Sequence, residues 1–164
     1  MPINGLFHVA IKATSLQATE RFYCDVLGLA LAPRPPLKVP GIWLQTRTSE
    51  GPVVIHVYGG DVAKNADGSH PVGGNAVDHV ALSAQGFNEM KKALSAKGIP
   101  FRERPVPGGP LWQLFVYDPN GLQLELNFHS GSEPGPAPDP ANDQKRGVDW
   151  FEPKAYLQFG APDR

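Results

Sequence analysis

The sequence predicts an α+β fold built from two βαβββ modules, each forming a cupped mixed sheet. Residues 6–58 contain an alternating apolar segment, an amphipathic helix and three further strand-like segments, and residues 77–128 repeat that order. A polar, glycine-rich connector at 59–75 separates the modules. We therefore expect one domain over 1–130, followed by a Pro/Gly-rich C-terminal tail at 131–164.

The first module begins with alternating side chains over Leu6–Lys12, which predict a strand. The run Thr14-Ser15-Leu16-Gln17 matches a capping box, with the Gln reaching back to the cap, and Gly28 suits the left-handed end of the helix. Three strands are expected next, at 29–32, 42–46 and 53–58, with a polar turn at 49–51 before the last.

The second module repeats these signals: a strand at 77–83, a helix at 87–97 ended by Gly98, and strands at 100–104, 111–118 and 122–128. Pro119-Asn120-Gly121 fits a three-residue hairpin loop, because Pro presets φ for a turn and Gly supplies the left-handed residue. That loop pairs Asp118 with Leu122 and places Phe115 opposite Glu125.

The last predicted strand has two chemically different faces, because strand side chains alternate in direction. One face carries Leu122, Leu124, Leu126 and Phe128, and the other carries Gln123, Glu125 and Asn127. A polar face on so apolar a strand indicates the lining of a site. We expect Trp43, Gln113 and Phe115 to line its substrate pocket.

The two modules also match residue by residue. The run His8-Val9-Ala10-Ile11 recurs as His79-Val80-Ala81-Leu82, while Trp43 aligns with Trp112 and His56 with Glu125. If each half curls into a cup, His8, His56, His79 and Glu125 converge on one cavity. Imidazole and carboxylate are ligands for a divalent first-row metal. The repeat therefore predicts a metal site made of these four side chains.

Composition excludes several classes of function. The net charge is −1 and no Lys/Arg-rich run is present, so nucleic acid is not an expected partner. No segment approaches the roughly 18 apolar residues of a membrane span, and the N-terminal residues lack the charged and apolar pattern of a secretory signal, so neither is expected. The single cysteine, Cys24, cannot form an internal disulfide, which fits a cytoplasmic protein.

Aromatic residues in the tail, at 150–151 and 156–159, predict that part of the tail docks on a surface.

The chain resembles the vicinal oxygen chelate superfamily, which includes glyoxalase I, bleomycin-resistance proteins and extradiol dioxygenases. The resemblance covers residues 6–128. It is carried by His8, Phe22-Tyr23 with Val26-Leu27-Gly28-Leu29, Val54-Ile55-His56-Val57, His79-Val80-Ala81-Leu82, and Asp118-Pro119-Asn120-Gly121 with Glu125. It implies one divalent ion (Fe, Ni, Zn, Mn or Co) held by His8, His79 and Glu125, a small-molecule substrate, and a homodimer. His56 is then either a fourth ligand or an acid/base beside the metal.

The resemblance leaves three functions open. The first is a glyoxalase I-like isomerase or lyase acting on vicinal oxygens, with His56 and Glu125 as catalytic residues. The second is an Fe(II) extradiol dioxygenase, since those enzymes place an acid/base histidine where this chain has His56. Phe115 argues against it, because extradiol enzymes carry a Tyr there. The third is a bleomycin-resistance-like binding protein, which needs no complete ligand set. We place the lyase first.

Overall fold

The computed structural model describes residues 5–47, 52–145 and 148–161, so the predicted turn at 49–51 lies outside the described residues. The chain clusters into two compact units. The first unit comprises 1–71 with the terminal 157–164, and the second comprises 72–156. Each unit contains one four-stranded mixed sheet, which confirms the predicted α+β class.

The first unit contains the first βαβββ module. Its elements are β1 (Val9–Lys12), α1 (Leu16–Arg21), β2 (Ala30–Ala32), β3 (Gly41–Gln45) and β4 (Val53–Tyr58). The strand order is β1-β4-β3-β2, with β1 parallel to β4 and the other pairs antiparallel. Its apolar core is built from Phe22, Tyr23, Leu44, Ile55 and Val57, all almost fully buried.

The first helix begins one residue later than the capping-box pattern predicts. Ser15 is the N-cap, and its Oγ accepts a hydrogen bond from the Ala18 N–H at 3.2 Å. Gln17 therefore stands at the second helical position and cannot complete a box. After α1 the helix widens into a π-helical segment, Phe22–Val26, and Gly28 ends it with a φ of +79°.

The second unit repeats this topology. Its elements are β5 (Val80–Ala84), α2 (Phe87–Ala96), β6 (Phe101–Pro105), β7 (Leu111–Tyr117) and β8 (Gln123–His129). The strand order β5-β8-β7-β6 matches the order in the first unit, and β5 runs parallel to β8. Phe87 of α2 packs edge-on against Phe128, with ring centroids 5.3 Å apart. The apolar face of β8 is thus the face covered by the helix.

The hairpin between β7 and β8 forms as predicted. The Asp118 N–H donates to the Leu122 carbonyl at 2.9 Å, and Phe115 pairs with Glu125. The Asp118 carboxylate is fully buried and accepts hydrogen bonds from the N–H groups of Asn120 and Leu122. This side chain fixes the loop, and the loop fixes which β8 residues face the site.

The first part of the C-terminal tail packs on the second unit, as its aromatic residues predict. Trp150 contacts the Tyr117 ring edge-on at 4.6 Å, and the Tyr156 hydroxyl donates to the Tyr117 carbonyl at 2.5 Å. Earlier in the tail, the Glu133 carboxylate accepts from the N–H groups of Gly86 and Phe87, where α2 begins. In the described residues, no helix combines the length and apolar character needed to cross a bilayer.

Candidate active site

His79 and Glu125 form a facing pair in the second unit. His79 immediately precedes β5, and Glu125 lies on the neighbouring strand β8, which aligns with β5 through the Ala81–Glu125 register. The Nε2 atom of His79 is 3.4 Å from Oε2 of Glu125. On the other side of the ring, Nδ1 lies 2.7 Å from the Asp78 carboxylate. Because a carboxylate only accepts, Nδ1 carries the proton of a neutral His79.

This geometry suits a divalent metal. With the proton on Nδ1, the Nε2 lone pair faces a carboxylate oxygen, and a cation between the two atoms would satisfy both. Two ligand atoms each about 2.1 Å from one ion lie about 3.0 to 3.4 Å apart at octahedral and tetrahedral angles. The observed 3.4 Å falls within that range. A carboxylate bound to the outer nitrogen of a histidine is also the usual support of a metal-ligating imidazole.

His8 and His56 meet in the first unit, in a stack with Trp43. The rings of His56 and Trp43 are stacked and nearly parallel, with planes 4° apart and centroids separated by 4.2 Å. His8 covers the other face of His56 at 3.8 Å. Burial lowers the pKa of His56, and the neighbouring His8 and Arg34 lower it further. His56 is therefore neutral near pH 7, as a metal ligand or a general base must be.

His8 carries a second mark of a ligand. Its Nδ1 atom is buried and has no hydrogen-bond partner in the described part of the chain. A buried nitrogen without a partner is costly unless a cation or a ligand satisfies it. Each unit thus brings together two of the four predicted ligands: His8 with His56, and His79 with Glu125. Within either unit, the described residues contain no group of three or more His, Cys, Asp or Glu suited to a metal.

Strand register corrects one alignment between the modules. Trp43 pairs with His56 across β3 and β4, and Phe115 pairs with Glu125 across β7 and β8. The counterpart of Trp43 is therefore Phe115, and the predicted match with Trp112 is wrong. The β3–β4 connection is longer than the β7–β8 hairpin loop, so a constant sequence offset does not hold along the whole module. Trp112 instead packs against Phe87 at 5.3 Å.

The second unit contains a cavity of about 1020 Å³ beside the His79–Glu125 pair. Of the predicted pocket residues, Gln113 and Phe115 line it, whereas Trp43 lies in the first unit with His56. The remaining wall comes largely from β6, from β8 and from the C-terminal tail. The residues lining the cavity include Arg104, Pro105, Val106, Tyr117, Gln123, Asp143, Gln144, Val148 and Asp149.

A chain of hydrogen bonds runs along one side of this cavity. The Arg104 Nε donates to Gln113 at 3.3 Å, Gln113 donates to Asn127 at 3.2 Å, and Asn127 donates to Oε1 of Glu125 at 2.8 Å. The sequence predicts Asn127 on the polar face of its strand, but the contact between Asn127 and Gln113 is not among the predictions. That contact follows from the predicted hairpin, since a register that pairs Phe115 with Glu125 also pairs Gln113 with Asn127. The contact of Arg104 with Gln113 depends on the register between β6 and β7, and no short turn in the sequence predicts that register.

Comparison with curated proteins finds enzymes of one activity. The chain is 27% identical to a lactoylglutathione lyase of Salmonella typhimurium over 128 residues, which cover 74% of this chain and 90% of that protein. It is 26% identical to a lactoylglutathione lyase of Haemophilus influenzae over 136 residues, covering 79% of this chain and 96% of that protein.

Solved structures share the fold. A lactoylglutathione lyase from Agrobacterium tumefaciens superposes with a TM-score of 0.56 at 22% identity, covering 79% of this chain and 97% of that one. A fosfomycin resistance protein from Listeria monocytogenes gives a TM-score of 0.55 at 18% identity, covering 77% and 94%. The family model for the Glyoxalase/Bleomycin resistance protein/Dioxygenase superfamily matches residues 5–126, and with its paired βαβββ modules the chain belongs to that superfamily.

Proposed function

We propose that the protein is a metal-dependent lyase or isomerase of glyoxalase type, acting on a small substrate with vicinal oxygens. The observation that carries the proposal is the His79–Glu125 pair, with its facing atoms 3.4 Å apart. Both outer atoms of the pair are already bound, Nδ1 by Asp78 and Oε1 by Asn127. The relatives named lactoylglutathione lyase support this reaction class.

His8, His56, His79 and Glu125 are the proposed ligands of one divalent ion. Members of the superfamily generally use such a metal. Three imidazoles and one carboxylate are acceptable ligands for Fe, Ni, Zn, Mn or Co, so the donor set alone does not identify the metal. When bound, the ion would polarise the vicinal oxygens of the substrate and make a C–H proton on one of the carbons that carry them more acidic.

Two side chains are proposed to move that proton between adjacent carbons. Glu125 offers Oε2, because Oε1 is already the acceptor of the Asn127 amide. His56 offers a neutral imidazole whose ring plane is fixed by the stack on both faces. It takes this role only in place of binding the metal, because a neutral imidazole has one free lone pair. A positioned base typically contributes about 10² to 10⁴ in rate. Phe115 and Tyr117 line the cavity next to this position and would shield it from bulk water.

An extradiol-type dioxygenase is the second candidate, and His56 is the observation that favours it. A neutral histidine held between two rings fits an acid/base role beside a ferrous site. Phe115 counts against this function, because it lies directly opposite Glu125 and offers no hydroxyl to the substrate.

The two candidates are separated by their need for oxygen. Purified protein is analysed for metal and assayed anaerobically with the hemithioacetal of methylglyoxal and glutathione, and aerobically with catechols in an oxygen electrode. The lyase proposal expects turnover of the hemithioacetal without oxygen. Oxygen consumption with catechols, together with no anaerobic turnover, would contradict it and support the dioxygenase.

We also propose that the protein acts as a cytoplasmic homodimer. Leu6 and Phe7 at the start of the first module are 85% and 88% exposed, and each sheet ends in edge strands. Such edges and apolar residues are commonly covered by a second copy. Light scattering at micromolar concentration is expected to give twice the chain mass, and a monomer would contradict the dimer.

A further inference from the structure

We infer that Gln113 and Asn127 are positioning residues, which together with Arg104 hold the Glu125 carboxylate in the orientation needed to bind metal. The inference rests on the proposed function, because it assigns these three residues to the metal site proposed for Glu125. All three hydrogen bonds lie within the second unit, and they form one uninterrupted path along β6, β7 and β8.

The direction of the path is fixed by its two ends. A guanidinium has only donors, so Arg104 must donate to the carbonyl oxygen of Gln113. An ionised carboxylate has only acceptors, so Asn127 must direct its NH₂ group at Glu125. The carbonyl oxygen of Asn127 is then left to accept from the NH₂ group of Gln113. Each amide therefore has one allowed orientation, set by its neighbours on both sides.

The path acts on the orientation of Glu125. Asn127 binds Oε1, so the carboxylate cannot rotate without losing that bond, and Oε2 stays directed at His79. Gln113 and Glu125 are each 9% exposed, so water cannot easily replace a lost partner. Arg104 is itself held with its guanidinium over the Phe115 ring at 5.2 Å. The support of the carboxylate thus extends two residues beyond its direct contact.

One isosteric substitution at Gln113 removes a hydrogen-bond donor from the path without changing the shape of the side chain. In Gln113→Glu the shape is kept, but the new carboxylate cannot donate to Asn127. The carboxylates at 113 and 125 then compete for the one NH₂ group of Asn127, which weakens the support of Oε1 of Glu125. A simple charge argument predicts the opposite result, because an added negative charge near the site attracts a cation.

Gln123→Glu is the matched control. Gln123 lines the same cavity on the same face of β8, is 8% exposed, and makes no side-chain hydrogen bond in the described part of the chain. The same substitution there adds the same charge without touching the path.

The experiment is a titration of metal-free protein with Co²⁺, followed by calorimetry and by the visible absorption of the bound ion, which reports ligand geometry. Gln113→Glu is expected to raise the Kd about 10- to 100-fold, the range for lost support of a metal ligand, and to shift the Co²⁺ bands. Gln123→Glu is expected to leave the Kd unchanged or lower it. Asn127→Leu removes the donor directly and is expected to behave like Gln113→Glu, so it replaces that variant if Gln113→Glu does not fold.

The outcomes separate the two proposals. If the wild type binds Co²⁺ and the folded Gln113→Glu and Asn127→Leu variants bind it equally well with unchanged bands, the positioning role is overturned and the metal site stands. If Gln113→Glu and Gln123→Glu weaken binding equally, the effect is general and the positioning role is likewise overturned. If the wild type binds no Co²⁺ at micromolar concentration, the proposed function fails, and the positioning role that rests on it fails with it.

Discussion

The two modules have the same strand topology but hold their candidate ligands by different interactions, ring stacking in the first and hydrogen bonding in the second. In both sheets the first strand runs parallel to the last, and the ligand position on the last strand faces an aromatic residue across the hairpin. In the first module His56 is held by rings on both faces. In the second module Glu125 accepts a hydrogen bond from Asn127, which in turn accepts one from Gln113.

This difference follows from the chemistry of position 56 and position 125. A neutral imidazole loses little when rings cover its faces, because its polar atoms lie at the edge. A carboxylate must stay solvated or hydrogen-bonded when buried, so its neighbours must be donors. The repeat therefore preserves the pairing of strands, whereas the side chains around each ligand depend on what that ligand requires.

The largest expected effect comes from removing one ligand in each module. His8→Ala and His79→Ala are each expected to raise the Kd for Co²⁺ at least about 100-fold, since loss of a direct ligand costs more than the roughly 10- to 100-fold of a lost outer support. His129→Ala, at an exposed position on the same strand as Glu125, is the control. Wild-type affinity in His8→Ala would show that His8 is not a ligand.

Much of the fold follows from the sequence because its signals are local. Alternation and a Pro-Asn-Gly loop act over a few residues, so β4 and the β7–β8 hairpin form as predicted. The match of Trp43 with Trp112 fails because it assumes equal loops, which local signals do not guarantee. The predicted pairing of Phe115 with Glu125 already contained the Gln113–Asn127 contact, and only the register of β6, which brings Arg104 alongside, needed the structure.

The role of His56 is tested by replacing its imidazole with the amide of glutamine. If His56 is a ligand, His56→Gln is expected to weaken metal binding about 10- to 100-fold while keeping some activity, because the amide oxygen still coordinates. If His56 is only the acid/base, the metal stays bound and turnover falls by about 10² to 10⁴. We expect the ligand role, because the resemblance to glyoxalase I implies a metal-binding residue at this position. Metal analysis beside turnover decides it, and intact metal with lost turnover would move the dioxygenase ahead.

The stack of the first module is tested by Trp43→Ala, which uncovers one face of His56. Because burial is the main cause that lowers the pKa of His56, the variant is expected to raise that pKa toward its ordinary value. The measurement is an NMR titration of the ring protons in metal-free protein. An unchanged pKa would show that Trp43 does not shield the imidazole.

The smallest effect concerns the tail. Burial raises the pKa of Tyr156 well above its ordinary value, and Asp118 and Tyr117 raise it further. Above about pH 10 the unfolded chain therefore loses a proton that the folded chain retains, so stability falls as pH rises. Tyr156→Phe is expected to lower the free energy of unfolding by about 1 kcal/mol at pH 8 and to reduce its decline above pH 10. Urea unfolding at pH 8 and above pH 10 measures the free energy of unfolding of both proteins. The same loss of stability above pH 10 in Tyr156→Phe as in the wild type would contradict the role given to Tyr156.

The proposed metal site is tested by the metal content of Glu125→Ala. Wild type, Glu125→Ala and the exposed control Glu152→Ala are loaded with one divalent metal, dialysed together and analysed by mass spectrometry for bound metal. The His79–Glu125 pair predicts that wild type and Glu152→Ala retain about one ion per chain, whereas Glu125→Ala loses most of it. Full occupancy in Glu125→Ala would contradict the metal site from which the proposed function is built.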